Sequence, residues 1–156
     1  MKGKKVSYAA ACLTAVYAVV MVYLLFIHGR LGYSWTFAEY IEEHLKLIPF
    51  ETIIFYTSRL IWGLTSPSVA LSNLLGNIIL FIPIGVILPY YIPAVRKWYK
   101  TAALTALIIF IVETTQFLTM LGTFDVDDIL LNTLGSLIGY AVFTVWNRTA
   151  DGNEVK

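Results

Sequence analysis

FDVDDILLNTLG, residues 124–135, sets three carboxylates within four positions and then runs straight into apolar sequence. In a water-soluble domain this would pass as a polar helix start. Its surroundings decide otherwise. Of the 156 residues 58% are hydrophobic and only 13% charged, with a mean hydropathy of +0.74, whereas a soluble domain has about 25% charged residues. Asp125, Asp127 and Asp128 therefore stand at the mouth of a membrane span, and the fold follows from locating the other spans.

Crossing hydrocarbon as a helix takes about 20 apolar residues. Four stretches qualify, at 7–27, 67–92, 101–121 and 128–146. The sequence thus predicts an all-α membrane protein: a four-transmembrane-helix bundle in a single domain over 1–156, with about the last six residues disordered. Lys2, Lys4 and Lys5 precede the first stretch as in a secretion signal. No small-x-small cleavage pattern follows its apolar run, so it reads as an uncleaved helix. Cys12 is the single cysteine, which excludes an internal disulfide and a cysteine-built zinc site. Four Trp and ten Tyr suit interfacial belts.

Basic residues in short loops set the orientation. With the N-terminus inside, Lys2, Lys4, Lys5, Arg96, Lys97, Lys100, Arg148 and Lys156 are cytoplasmic, and only Arg30, Lys46 and Arg59 lie outside. Both termini are expected in the cytoplasm and the Asp125 cluster outside. The outer segment, 28–66, is too long for a turn. Thr36-Phe37-Ala38-Glu39 has the form of a capping box, opening a helix that ends before Pro49. A second short helix is expected over 52–63. Both read as interfacial or re-entrant, with Trp35, Phe37, Tyr40, Ile53, Phe55 and Trp62 on their apolar faces. Arg59 is expected to face the acids and balance their charge.

Polar residues inside the spans fall in pairs that share a helix face: Asn73 and Asn77, Glu113 and Gln116, Asp128 and Asn132. All lie in the outer halves. Glu113 is expected roughly 15 Å below the outer end of its helix, where a carboxyl group is functional or strongly paired. Gly135 and Gly139 form a G-x-x-x-G, which lets helices approach closely. Plainer roles exist for several of these residues. Asp125 and Asp128 suit the positive end of a helix dipole as caps, Asn73 suits hydrogen bonding between helices, and Pro83 suits a kink. His28 and His44 read as solvated loop residues.

LKLIPF (45–50), NIILFIPIG (77–85), ETTQF (113–117) and FDVDDILLNTLG (124–135), in that order, together resemble the VanZ-like family. The resemblance implies a small polytopic protein of the bacterial cytoplasmic membrane and cell envelope. The family's namesake is associated with low-level resistance to the glycopeptide teicoplanin. The family pattern implies acids at Asp125 and Asp128 with Asn132 following, and makes Asp127 dispensable.

These readings converge on one expectation. Asn77, Glu113, Gln116, Asp125, Asp128 and Asn132 meet at an outward-opening cavity that binds or modifies an envelope lipid or lipid-linked precursor. Asp125 and Asp128 would hold Mg²⁺ or Ca²⁺ against a phosphate, since hard cations choose oxygen ligands. With Glu113 as proton acceptor these acids form the candidate catalytic set, and Asn77, Gln116, Asn132 and Arg59 the ligand-binding one. Two other classes compete. One is a small proton- or cation-coupled transporter with Glu113 as relay, against which no inverted repeat is visible. The other is a non-catalytic scaffold. No nucleic-acid partner is expected, and the oligomeric state is open.

Overall fold

The computed structural model describes residues 7–27 and 36–153. The basic N-terminal residues, His28, Arg30, Trp35 and the last three residues lie outside them. The chain divides into two compact units, 1–34 and 35–156. The first contains α1 (Tyr8–Phe26), whose start is fixed by Ser7: its hydroxyl oxygen accepts the Ala10 N–H at 3.1 Å.

The second unit runs α2 (Phe37–His44), β1 (Leu45–Lys46), α3 (Glu51–Ile61), α4 (Pro67–Tyr91), a 3₁₀ turn (Pro93–Val95), α5 (Trp98–Leu118), β2 (Phe124–Asp125) and α6 (Val126–Asn153). Helices α1, α4, α5 and α6 are long and apolar enough to cross a membrane. The expected fold class holds: four spans, with two short helices between the first and second. Leu75, Ile79, Leu107, Phe110, Leu134, Ile138 and Val145 are exposed on α4–α6, as suits helices solvated by lipid tails.

Local chemistry sets the helix starts. Thr36 accepts the Glu39 N–H, while the Glu39 carboxylate accepts the Thr36 N–H at 2.9 Å and its hydroxyl at 2.7 Å. These bonds from Thr36 hold the Glu39 carboxyl below its ordinary range. Ser66 caps α4, and Pro67 occupies a first-turn position where its missing N–H costs nothing. Pro83 and Pro89 lie inside α4, which remains helical through both.

Glycine brings α4 and α6 together. A Cβ at Gly135 would collide with the carbonyl of Ile78, one at Gly139 with that of Ile82, and one at Gly85 with that of Ser136. The partners advance in the same direction along both chains, so the helices run parallel. The two glycines of the G-x-x-x-G thus seat the α4 backbone directly. Helix α5 joins them head to tail and is antiparallel to both. Its Thr105 hydroxyl pairs with that of Ser136 at 2.8 Å, both fully buried.

Two features differ from expectation. Helix α5 ends at Leu118 rather than near residue 121, because Met120 takes a left-handed φ of 53° and the Leu121 N–H turns back to the Gln116 carbonyl at 2.7 Å. Glu113 therefore lies only about 8 Å from its helix end, not the roughly 15 Å first inferred. Moreover, the chain after α5 does not simply turn. It forms β2, which pairs in parallel with β1, Leu45 beside Phe124 and Lys46 beside Asp125. Strands of two residues have no alternation to read.

Candidate functional site: an acid–amide layer

Three i, i+4 rows build the site. On α6, Asp128, Asn132 and Ser136 share one face; on α5, Thr105, Ile109 and Glu113; on α4, Asn77, Phe81 and Gly85. Fixed contacts set their register. Asn77 Nδ2 donates to Asp128 Oδ1, and the same offset brings Gly85 against Ser136. Thr105 meets Ser136 in the antiparallel direction, which carries Glu113 to the level of Asp128. Three layers follow: Asn77, Glu113 and Asp128 at the β1–β2 end, then Phe81, Ile109 and Asn132, then Gly85, Thr105 and Ser136.

Asp125 ties this stack to the short elements. It is 4% exposed. Its Oδ2 accepts the Thr52 hydroxyl at 2.6 Å, its Oδ1 accepts the Asp127 N–H at 2.8 Å, and its own N–H points to Glu113 Oε2 at 3.4 Å. The bond to Asp127 is a helix cap, so the plain reading of Asp125 is correct as far as it goes. However, that cap is buried, and the same carboxylate holds α3. The register of the parallel pair sets Lys46 directly beside Asp125, with Nζ 3.9 Å from Oδ2 and 3.5 Å from the Thr52 hydroxyl.

Asp127, given no role by the family pattern, is fully buried. Its Oδ1 accepts the Phe50 N–H at 2.5 Å and its Oδ2 the Ile53 N–H at 3.0 Å. Helix α3 begins at Phe50 with φ 69° and no side-chain cap of its own. A carboxylate from 77 residues away satisfies its orphan donors and faces the positive end of its dipole. A helix without Ser, Thr, Asp or Asn before its first turn was the signal in the sequence that a cap must come from elsewhere.

Tyr40 docks α2 on the same end. Its ring stacks on His44 at 4.2 Å and packs against Phe117 at 5.5 Å, while its hydroxyl donates to the Gly122 carbonyl. Burial pushes the phenol upward from its ordinary range. Lys46, Thr52, Asp127 and Tyr40 are the residues that sequence reasoning missed at this site.

The candidate residues distribute as follows. Asn77, Glu113, Asp125 and Asp128 meet. Asn132 lies one layer beneath, 3% exposed, its Oδ1 buried without a hydrogen-bond partner. Gln116 is buried at the edge, with Gly122 set against its side chain. Arg59 does not face the acids; it is exposed, its guanidinium 4.8 Å from the Phe55 ring centroid. It lies two helical turns along α3 from Thr52, on Phe55, and Lys46 is the cation beside the acids. Asn73 is exposed and donates to the Val69 carbonyl of its own helix, so it does not bridge helices.

At Asp125 the oxygens are not free for Mg²⁺ or Ca²⁺. Among the described residues no group of three or more His, Cys, Asp or Glu is arranged to hold a metal ion. Both Asp125 oxygens already accept hydrogen bonds, and the Lys46 ammonium occupies the cation's place beside them. Hard cations need several free oxygens. As they stand, Asp125 and Asp128 take part in a hydrogen-bonded acid network.

A sequence profile of the VanZ/LLP1 family matches residues 14–147. No curated protein and no solved structure matches the chain.

Proposed function

The chain belongs to the VanZ/LLP1 family, and from that premise we propose that it binds the headgroup of an envelope lipid or lipid-linked precursor in the acid–amide layer. The layer opens to the outer side of the bacterial cytoplasmic membrane, with both termini inside. The observation that carries the reading is Asn132 Oδ1, a buried acceptor without a partner one layer beneath the buried carboxyl of Glu113. Such an acceptor is costly unless a ligand completes it. Polar and ionisable groups within a span mark a site by default. Should the headgroup be turned over, Glu113 is the group placed to accept a proton.

Native mass spectrometry of the purified protein, released from membranes, tests this. A specific envelope lipid should remain bound to the wild type and be lost from Asp128→Asn and Asn132→Leu. The same adducts on all three proteins would refute the site. The orientation has its own test. Cysteine at Thr123 in a Cys12-free background should react with an impermeant thiol reagent on intact cells, and cysteine at Lys97 should not; the reverse pattern overturns it. Through precursor recognition the protein is expected to raise teicoplanin tolerance in a susceptible strain, and Asp128→Asn to abolish the increase.

A further inference from the structure

The acid–amide layer is lopsided in its hydrogen-bonding chemistry. Three of its donors are engaged with its own carboxylates: Asn77 Nδ2 with Asp128 Oδ1, the Thr52 hydroxyl with Asp125 Oδ2, and the Asp127 N–H with Asp125 Oδ1. Its acceptors are not. Among the described residues Glu113 Oε1 and Asp128 Oδ2 accept no hydrogen bond, and Asn132 Oδ1 is sealed from solvent without one. The register places Phe81 and Ile109 in the layer of Asn132, and their side chains have no donors to offer. Lys46 is the one cation in an ion pair with this cluster among the described residues, against the carboxyls of Glu113, Asp125, Asp127 and Asp128. The unmet demand is therefore for hydrogen-bond donors and for positive charge together.

We infer that the group this site takes is a primary ammonium, which presents three N–H donors and one positive charge to Glu113, Asp128 and Asn132. The inference rests on the headgroup reading above and names its chemistry. A phosphate or pyrophosphate brings acceptors and negative charge to a site already rich in both. A sugar hydroxyl brings donors without charge. A quaternary ammonium brings charge without donors. Of these headgroup chemistries only the primary ammonium meets both demands. Asp128 is only partly buried and lies in the first turn of α6, so the group enters from the helix ends, at headgroup depth.

The test is retention of defined lipids by the wild-type protein in micelles, read by native mass spectrometry. Phosphatidylethanolamine is compared with its N-acetylated form, phosphatidylcholine and phosphatidylglycerol. Phosphatidylethanolamine should be retained about tenfold or more over the other three, and the preference should vanish in Asn132→Leu. Free ethanolamine separates the sources. Competition only at far higher concentration assigns the ammonium to a lipid, and competition at equal concentration assigns it to a soluble amine, both supporting the inference. Equal retention of N-acetylated or glycerol headgroups, still lost in Asn132→Leu, overturns the ammonium but leaves the headgroup site standing. Retention indifferent to Asn132 and Asp128 removes the site itself. Because the lipid series uses the wild type, a variant that fails to fold does not spare the inference.

Discussion

The two ends of the α4–α6 pair treat charge in opposite ways. At the Arg96 end, the charged side chain closes its hydrogen bond over a short distance in sequence, Arg96 Nε to the Pro89 carbonyl seven residues back, and the long-range bond there is between neutral groups, the Tyr140 hydroxyl donating to the Arg96 carbonyl. Arg96 is exposed, with its guanidinium 6.0 Å from the Phe143 ring, and Lys97 lies 5.9 Å from that of Tyr99. At the β1–β2 end the carboxylates turn inward, and their bonds span 51 residues from Asn77 to Asp128, 73 from Thr52 to Asp125 and 77 from Phe50 to Asp127. Exposed charges need nothing beyond solvent and a neighbouring carbonyl, so they are free to mark topology. Buried charges must find partners from other elements, so they determine how those elements dock.

The comparison breaks first along the seam that both ends share. Gly139→Leu drives a side chain into the Ile82 carbonyl and should cost about 3 kcal/mol by overpacking a backbone contact. Thermal unfolding in detergent reads the loss. Parental stability in that variant would mean that the helices separate freely and that the layers above and below Asn132 are not fixed by this contact.

Asp127→Asn sharpens the contrast at the buried end. Removing the charge that caps α3 should cost about 1–2 kcal/mol and speed hydrogen exchange at the Phe50 and Ile53 amides. Unchanged exchange there would return Asp127 to the dispensable role that the family pattern implies. The smallest effects compare cations. Lys46→Met should cost about 1 kcal/mol because it leaves the buried Asp125 carboxylate without its ammonium. Arg59→Met and Arg96→Gln should stay within about 0.5 kcal/mol as surface changes. If Arg59 proves more costly to replace than Lys46, the assignment of Lys46 as the partner of the acids is reversed.

Legibility followed the range of each interaction. The Thr36–Glu39 box and the Ser66-Pro67 start lie within four residues of what they fix, and both form as the sequence indicates. Gly135 and Gly139 announced a close helix contact, although not that α4 would be the partner. Arg59 is expected at the acids on the sign of its charge and its place in the outer segment. It lies on Phe55, one turn back along its own helix, and a two-residue strand pairing brought Lys46 to the acids.

The sequence by itself determined the solvent of this protein. Hydrocarbon-length apolar runs leave backbone groups no partner but their own helix, so four spans, their caps and the pairing of polar residues on helix faces are local consequences of composition and spacing. The tertiary structure decided which acids meet. Asp127 capping α3, Lys46 beside Asp125 and the unsatisfied carbonyl of Asn132 each depend on elements far apart in the chain. A buried charge takes whatever partner the fold brings within hydrogen-bond reach, and no spacing along the chain encodes that distance.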